Sequence, residues 1–254
     1  VLASGFGKGR REVDKLTIEE MTEEIILEQL HLHLNQGRPV ILHNTFQGVP
    51  IVNEATVAMI HPEYIGVVVH PYQTVCIREE RRTYLESKLL PGLIRAYPVS
   101  IDYTNQVVVL KRLQIPKSIT PDLAHSWVAP EKPIMVTITS AEQSEMTVDL
   151  AEIAVLEENQ IRIGLFLPED NPFARQDEVV LSFLLASSDR PVVVKGVVHS
   201  LAKMRNRHQR RMEVAGRASM EDEISLLAFV GKREDQILRS LDKSYKKLRK
   251  AKKR

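Results

Sequence analysis

Alternation of apolar and polar residues, the signature of half-buried strands, dominates this chain between residues 39 and 216. Ile134, Val136 and Ile138 alternate with Met135, Thr137 and Thr139. Asp149 opens a second apolar segment, and Ile161, Ile163, Leu165 and Leu167 alternate in a third. Strands over residues 178–186 and 191–201 follow, joined by a hairpin connection at 187–190. A densely basic loop is expected over 203–211 and a last strand over 212–216. Upstream, residues 40–42, 49–52, 56–60, 65–69, 97–101 and 106–113 form another set of short β-type runs, with a further strand expected at 73–77 and a short polar helix or turn at 78–87. Short strands at this spacing, separated by Gly, Pro and Asn, predict small antiparallel barrels or sandwiches.

Helical periodicity is confined to the two ends. Over residues 17–35, Ile18, Met21, Ile25, Leu30, Leu32 and Leu34 make a broad apolar face. Thr17-x-x-Glu20 reads as a capping box for that helix, and Gly37 as its stop. Near the other end Ser219-x-x-Asp222 caps a long helix. Its apolar seam runs through Ile224, Leu227, Leu238, Leu241, Tyr245 and Leu248, interrupted by Gly231 and Glu234. A seam of that kind packs on its own barrel or pairs with a second copy. Pro116, Ser118, Thr120 and Pro121 break the strand pattern between the two sets of runs. The predicted organisation is mainly β with flanking helices, as two small antiparallel barrels in tandem plus a long C-terminal helix. A mobile arm occupies residues 1–16, a helix and the first barrel 17–116, a linker 117–127, the second barrel 128–220, and the helix with a basic tail 221–254.

At 254 residues the chain has room for two domains, and 43% hydrophobic residues suffice for sizeable cores. A net charge of +2 with 27% charged residues describes an ordinary folded protein rather than a disordered one. One cysteine, Cys76, excludes internal disulfides and cysteine-rich zinc sites, as expected in a reducing compartment. No run approaches the roughly 20 apolar residues of a membrane span, and no signal-peptide pattern precedes the first predicted helix, so a cytoplasmic protein is expected.

No catalytic pattern emerges: His-Glu-x-x-His, Gly-x-Ser-x-Gly and Cys-x-x-Cys are all missing. Gly5-x-Gly7-Lys8 lacks both the preceding strand and the Gly-Lys-Ser/Thr ending of a phosphate loop. His31 and His33 lie roughly 200° apart around a helix and cannot share a metal, so both read as solvated or partly packed. Three basic groups remain as candidate anion sites. Arg78-x-x-x-Arg82, with Arg81, spells a guanidinium pair suited to phosphate, with Glu79, Glu80 and Glu86 as local ion-pair partners. Arg205, Arg207, Arg210 and Arg211 form a basic patch. The run 243–254 has no acidic residue and one aromatic, Tyr245. Such clusters suit nucleic-acid phosphates or an acidic partner surface, and leave a basic-surfaced nucleic-acid- or ribosome-associated protein as the alternative reading.

The layout of residues 126–168 resembles that of PilZ domains, bacterial receptors for the second messenger cyclic di-GMP. That family's pattern is an Arg-x-x-x-Arg linker, a Val- and Pro-containing lead-in to the first strand, and Asp-x-Ser-x-x-Gly on the next. Here Val128-Ala-Pro130 matches the lead-in, and Asp149-x-Ala151-x-x-Ala154 stands in the place of Asp-x-Ser-x-x-Gly. Residues 191–198 resemble a late PilZ strand and 224–241 the closing helix, while the first half resembles the N-terminal barrel of two-domain, flagellar-brake-type members. The resemblance implies a non-enzymatic signalling module, with no required cofactor, that acts as receptor or as adaptor for another protein of a motility or secretion system. It implies a ligand site at Trp127, Asp149, Ala151 and Ala154. Leu123 and Trp127 occupy the two arginine positions, and Ala151 and Ala154 replace the serine and glycine. Weak or absent cyclic di-GMP binding is therefore expected.

Overall fold

A computed structural model describes residues 22–90, 92–116, 123–140, 145–156, 160–186, 188–204 and 208–251. The expected arm, the Thr17–Glu20 capping box, most of the expected linker, Arg205 and Arg207 lie outside the described residues. The chain is mainly β, built as two closed antiparallel barrels of six strands each. The first contains β1 (Val40–Phe46), β2 (Val49–His61), β3 (Tyr64–Val68), β4 (Thr83–Glu86), β5 (Ile94–Asp102) and β6 (Val107–Gln114). The second contains β7 (Met135–Ser140), β8 (Glu145–Val155), β9 (Ile161–Pro168), β10 (Glu178–Phe183), β11 (Val192–Lys203) and β12 (Gln209–Ala218). Around the first barrel the order is β1-β2-β3-β6-β5-β4, and around the second β7-β8-β9-β12-β11-β10, so the two share one topology. Closure leaves no unpaired strand edge in either sheet.

Three helices flank the barrels: α1 (Glu23–Gln36), α2 (Pro71–Glu80) and α3 (Met220–Ala251). Helix α1 begins at Glu23, with the Thr22 side chain accepting from Ile25 N at 3.4 Å, and ends at Gly37 in the left-handed conformation. It buries Ile26, Leu27 and Leu30 in the first barrel's core. His33 is buried on that side, with Nε2 bonded to Ser87 Oγ and Nδ1 3.3 Å from Arg38 O, while His31 is exposed.

Residues 73–77, expected as a strand, are the interior of α2. His70 caps that helix, accepting from Tyr72 N at 3.3 Å, and Pro71 stands in its first turn, where the missing amide hydrogen costs nothing. Gln73 to Ile77 are all buried because α2 is packed on both sides. Of the expected polar helix or turn at 78–87, Arg78 to Glu80 are the last turn of α2, Arg81 ends it at φ 55°, and Thr83–Glu86 form β4. Residues 49–52 and 56–60 are one continuous 13-residue strand, bulged between Val57 and Met59. The expected basic loop ends early, because β12 begins at Gln209 and takes in Arg210 and Arg211.

Ser219 caps α3 as the sequence implies, its hydroxyl accepting from Asp222 N at 3.2 Å. The buried face of α3 is Leu226, Val230, Ile237, Leu241 and Tyr245. Of the expected seam, Leu241 and Tyr245 are buried, whereas Ile224, Leu227 and Leu238 are exposed at 58%, 49% and 37%. The barrel takes up a neighbouring stripe because Leu226, Val230 and Ile237 also recur at helical steps.

One apolar core joins the two halves. Phe46, Val49 and Ile51 from the first barrel and Val75 and Cys76 from α2 pack into the cluster formed by the second barrel and α3. The β1–β2 turn, Gln47–Gly48, has φ of 51° and 86°, the positive pair of a tight hairpin. Against it runs the backbone of Trp127, whose N–H donates to Gly48 O at 2.9 Å. The next residue, Val128, pairs with Ile153 of β8 through bonds of 2.9 and 3.0 Å. Two consecutive residues thus clip the hairpin of one barrel to a strand of the other.

Candidate functional site

The outer face of β8, β9 and β12 gathers two of the four expected ligand residues, Trp127 and Asp149. Leu150, Ile153, Ile161, Ile163, Leu165, Met212 and Val214 turn into the barrel, which sends their strand neighbours outward. Cross-strand pairing sets Asp149 opposite Phe166 and Phe166 opposite Arg211. The next row is Glu152, Gly164 and Glu213, and the one after is Ala154, Arg162 and Ala215. Trp127 joins this face from the segment leading into β7, with the Arg211 guanidinium carbon 5.6 Å from its ring centroid, within cation–π range.

Both arginines on this face are already engaged. Arg211 Nη2 is paired with Glu152 Oε1, and Arg162 Nη1 with Glu213 Oε1 at 2.5 Å. The Nε of Arg162 is buried and meets no acceptor among the described residues. With Asp149 exposed beside them, two guanidinium groups face three carboxylates.

Of the expected site residues, Trp127 and Asp149 belong to this face. Ala151 is the extra residue of a bulge between Leu150 and Glu152, and Ala154 is fully buried opposite Arg162. Arg211, expected in a basic patch, stands here instead. Arg210 pairs with Leu167 and points the other way, so the two adjacent arginines do not act as one surface. Sequence reasoning missed Glu152, Arg162, Phe166 and Glu213. Glu152, Arg162 and Glu213 were visible as polar positions within the apolar segments of β8, β9 and β12, but which strands are neighbours was not.

The alternative phosphate site lies at the far end of α2. Arg78, Arg81 and Arg82 are exposed, and the Arg82 guanidinium carbon is 5.9 Å from the Tyr84 ring centroid. Glu80 and Glu86, expected as their ion-pair partners, are used elsewhere. Glu80 accepts from Asn44 Nδ2 at 2.7 Å and Thr45 N at 2.8 Å, and Glu86 is 2.7 Å from His43 Nε2. Among the described residues no ion pair involves these three arginines, and no group of three or more His, Cys, Asp or Glu could hold a metal ion. No described helix is long and apolar enough to cross a membrane.

No family model matches the sequence, and no curated protein matches it. Solved structures align with it at low similarity. The inhibitor of motility MotI/DgrA of Bacillus subtilis aligns at 12% identity and a TM-score of 0.40, over 78% of this chain and 96% of that one. The K. pneumonia MrkH–c-di-GMP complex aligns at 12% identity and 0.37, over 89% and 97%. YcgR of Escherichia coli in complex with c-di-GMP aligns at 12% and 0.34, over 86% and 92%. All three are PilZ-domain proteins.

Proposed function

We propose that this chain is a non-enzymatic PilZ-type module of bacterial cyclic di-GMP signalling that works mainly by contacting another protein, with a dinucleotide face that binds weakly or not at all. The observation that carries this reading is the charge arrangement on the β8–β9–β12 face. The place that the PilZ pattern gives to the ligand holds Trp127 and Asp149, and its two guanidinium groups are each met by a glutamate. A dianionic dinucleotide therefore finds no uncommitted cation among these groups. Each hydrogen bond to a charged group is worth about 1.5–3 kcal/mol, so lacking two arginine contacts weakens binding on the order of a thousandfold.

Contact with a protein is supported by α3. Met220, Ile224 and Leu227 recur at four- and three-residue steps, with Leu238 beyond the interruption at Gly231 and Glu234, and are 78%, 58%, 49% and 37% exposed, apolar positions beside the buried stripe. A component of a motility or secretion system, in the cytoplasm, is the class of partner that the PilZ resemblance implies. The test is a calorimetric titration of the protein with cyclic di-GMP. No saturable heat at micromolar protein is expected. Micromolar or tighter binding abolished by Asp149→Ala would refute the closed face, and tight binding abolished by Arg78→Ala or Arg82→Ala would move the site to α2.

A further inference from the structure

Beyond Val136 and Phe183, the last partners of β7 and β10 at that end, the two chains part. The groove left there has a volume of about 570 Å³ and is bounded by residues 130–135, residues 184–186 and, from α3, Phe229, Lys232, Arg233 and Gln236. We infer that this groove binds a medium-chain aliphatic carboxylate, its chain against the apolar walls and its carboxylate at Lys132 and Lys232. The groove shares no residue with the β8–β9–β12 face.

Ile134, Met135, Leu184, Leu185 and Phe229 supply the apolar walls. Leu185 is fully buried, and Ile134 and Phe229 pack in part against the core. Met135 and Leu184, from opposite sides of the groove, stay 55% exposed each. Large apolar side chains left half bare around one concavity carry a hydration cost that an apolar guest removes. A cavity of this size, with apolar walls and a few polar groups, has the usual form of a small-molecule site. A peptide strand cannot extend the sheet here, because the barrel is closed and both β7 and β10 already have a neighbour on each side.

Charge selects the head group. The lining carries three cations, Lys132, Lys232 and Arg233, against one carboxylate, Glu131. Arg233 is held in place, its Nε donating to Ala129 O at 2.8 Å and its Nη1 to Gln236 Oε1 at 3.0 Å. Lys132 and Lys232 are exposed and make no ion pair among the described residues. A lysine lays its methylene stem along apolar surface and keeps its ammonium group at the edge. Two such lysines around one apolar groove match a ligand with an aliphatic body and a single anionic end.

The experiment titrates the full chain with sodium hexanoate, octanoate and decanoate by calorimetry, with acetate and decyltrimethylammonium as controls. A single saturable site is expected, its affinity rising about fourfold per added methylene, as burial of each CH₂ implies. Acetate and decyltrimethylammonium should give no saturable heat. Lys132→Ala and Lys232→Ala, both at exposed positions, should weaken decanoate binding about fivefold each and about twentyfold together. Leu184→Asp places a carboxylate in the groove at a half-exposed position and should abolish binding, with far-ultraviolet dichroism checking that the variant is folded. No saturable site for decanoate, an affinity independent of chain length, or lysine variants that bind as wild type does would overturn the inference. Equal binding of decyltrimethylammonium overturns the carboxylate assignment. Loss of a purified protein partner in these variants, with decanoate unbound by wild type, would assign the groove to a protein segment and overturn the ligand class. None of these outcomes involves cyclic di-GMP, so the weak-binding reading is tested separately.

Discussion

Replacing Gly48 by alanine strikes the clip between the barrels at its narrowest point. The residue has φ of +86°, and a Cβ built on it would lie 1.8 Å from the Trp127 carbonyl oxygen and 2.9 Å from its carbon. Left-handed backbone costs an L-residue roughly 1–2 kcal/mol. Relieving the collision requires the Trp127 backbone to move, which sacrifices its 2.9 Å hydrogen bond to Gly48 O, worth about 0.5–1.5 kcal/mol. Gly48→Ala should therefore destabilise by about 1.5–3.5 kcal/mol. Gly37→Ala is the internal control: φ is +60°, but nothing lies within 4 Å of the added Cβ, so only the backbone cost of roughly 1–2 kcal/mol applies. Urea unfolding followed by emission of Trp127, the chain's single tryptophan, and by far-ultraviolet dichroism separates the two. In Gly48→Ala the emission transition should move to lower urea, ahead of the dichroism. Equal destabilisation by the two alanines, or coincident and unmoved transitions, would refute the clip.

Two further predictions concern the shared core. Leu241 is fully buried and Leu238 is 37% exposed, so Leu241→Ala should cost about 2–5 kcal/mol and Leu238→Ala under about 1 kcal/mol in chemical unfolding; the reverse order would contradict the assignment of α3's faces. Burial, with Glu80 and Glu79 adding to it, pushes the Cys76 thiol far above its ordinary 9.0. The thiolate is the reactive form, so an aromatic disulfide reagent at pH 8 should label Cys76 only on unfolding, and rapid labelling of native protein would refute its burial. The folded pKa is raised, so the contribution is complete below pH 9.0 and is lost as pH rises beyond it, where only the unfolded chain ionises. Relative to Cys76→Ala, the wild type should accordingly lose stability between pH 8 and 11.

Strand alternation was legible wherever one face meets a core and the other meets solvent. Val136 and Ile138 in β7, and Ile161 to Leu167 in β9, could be read directly because burial there has period two. Residues 73–77 could not be read this way: α2 is buried on most sides, so helical periodicity disappears, and the His70–Pro71 cap was the better signal. The seam of α3 was misplaced by about one helical row because two apolar stripes lie side by side and only packing decides which is covered. At the candidate site, Trp127 and Asp149 entered only through the resemblance to the PilZ layout. Glu152, Arg162 and Glu213 were not legible as a site, because their meeting depends on β9 pairing with β12 across the β10–β11 hairpin.

The central claim is that the β8–β9–β12 face is closed on itself, with Arg211 on Trp127 and Glu152 on Arg211. Trp127 is the single tryptophan and its ring lies against Arg211, so its emission responds to a ligand that reaches that face. Titrating wild-type protein with cyclic di-GMP while recording this emission tests the claim directly. The account predicts a flat response through the micromolar range. A saturable change in the wild type at micromolar ligand, abolished by Asp149→Ala, would contradict it.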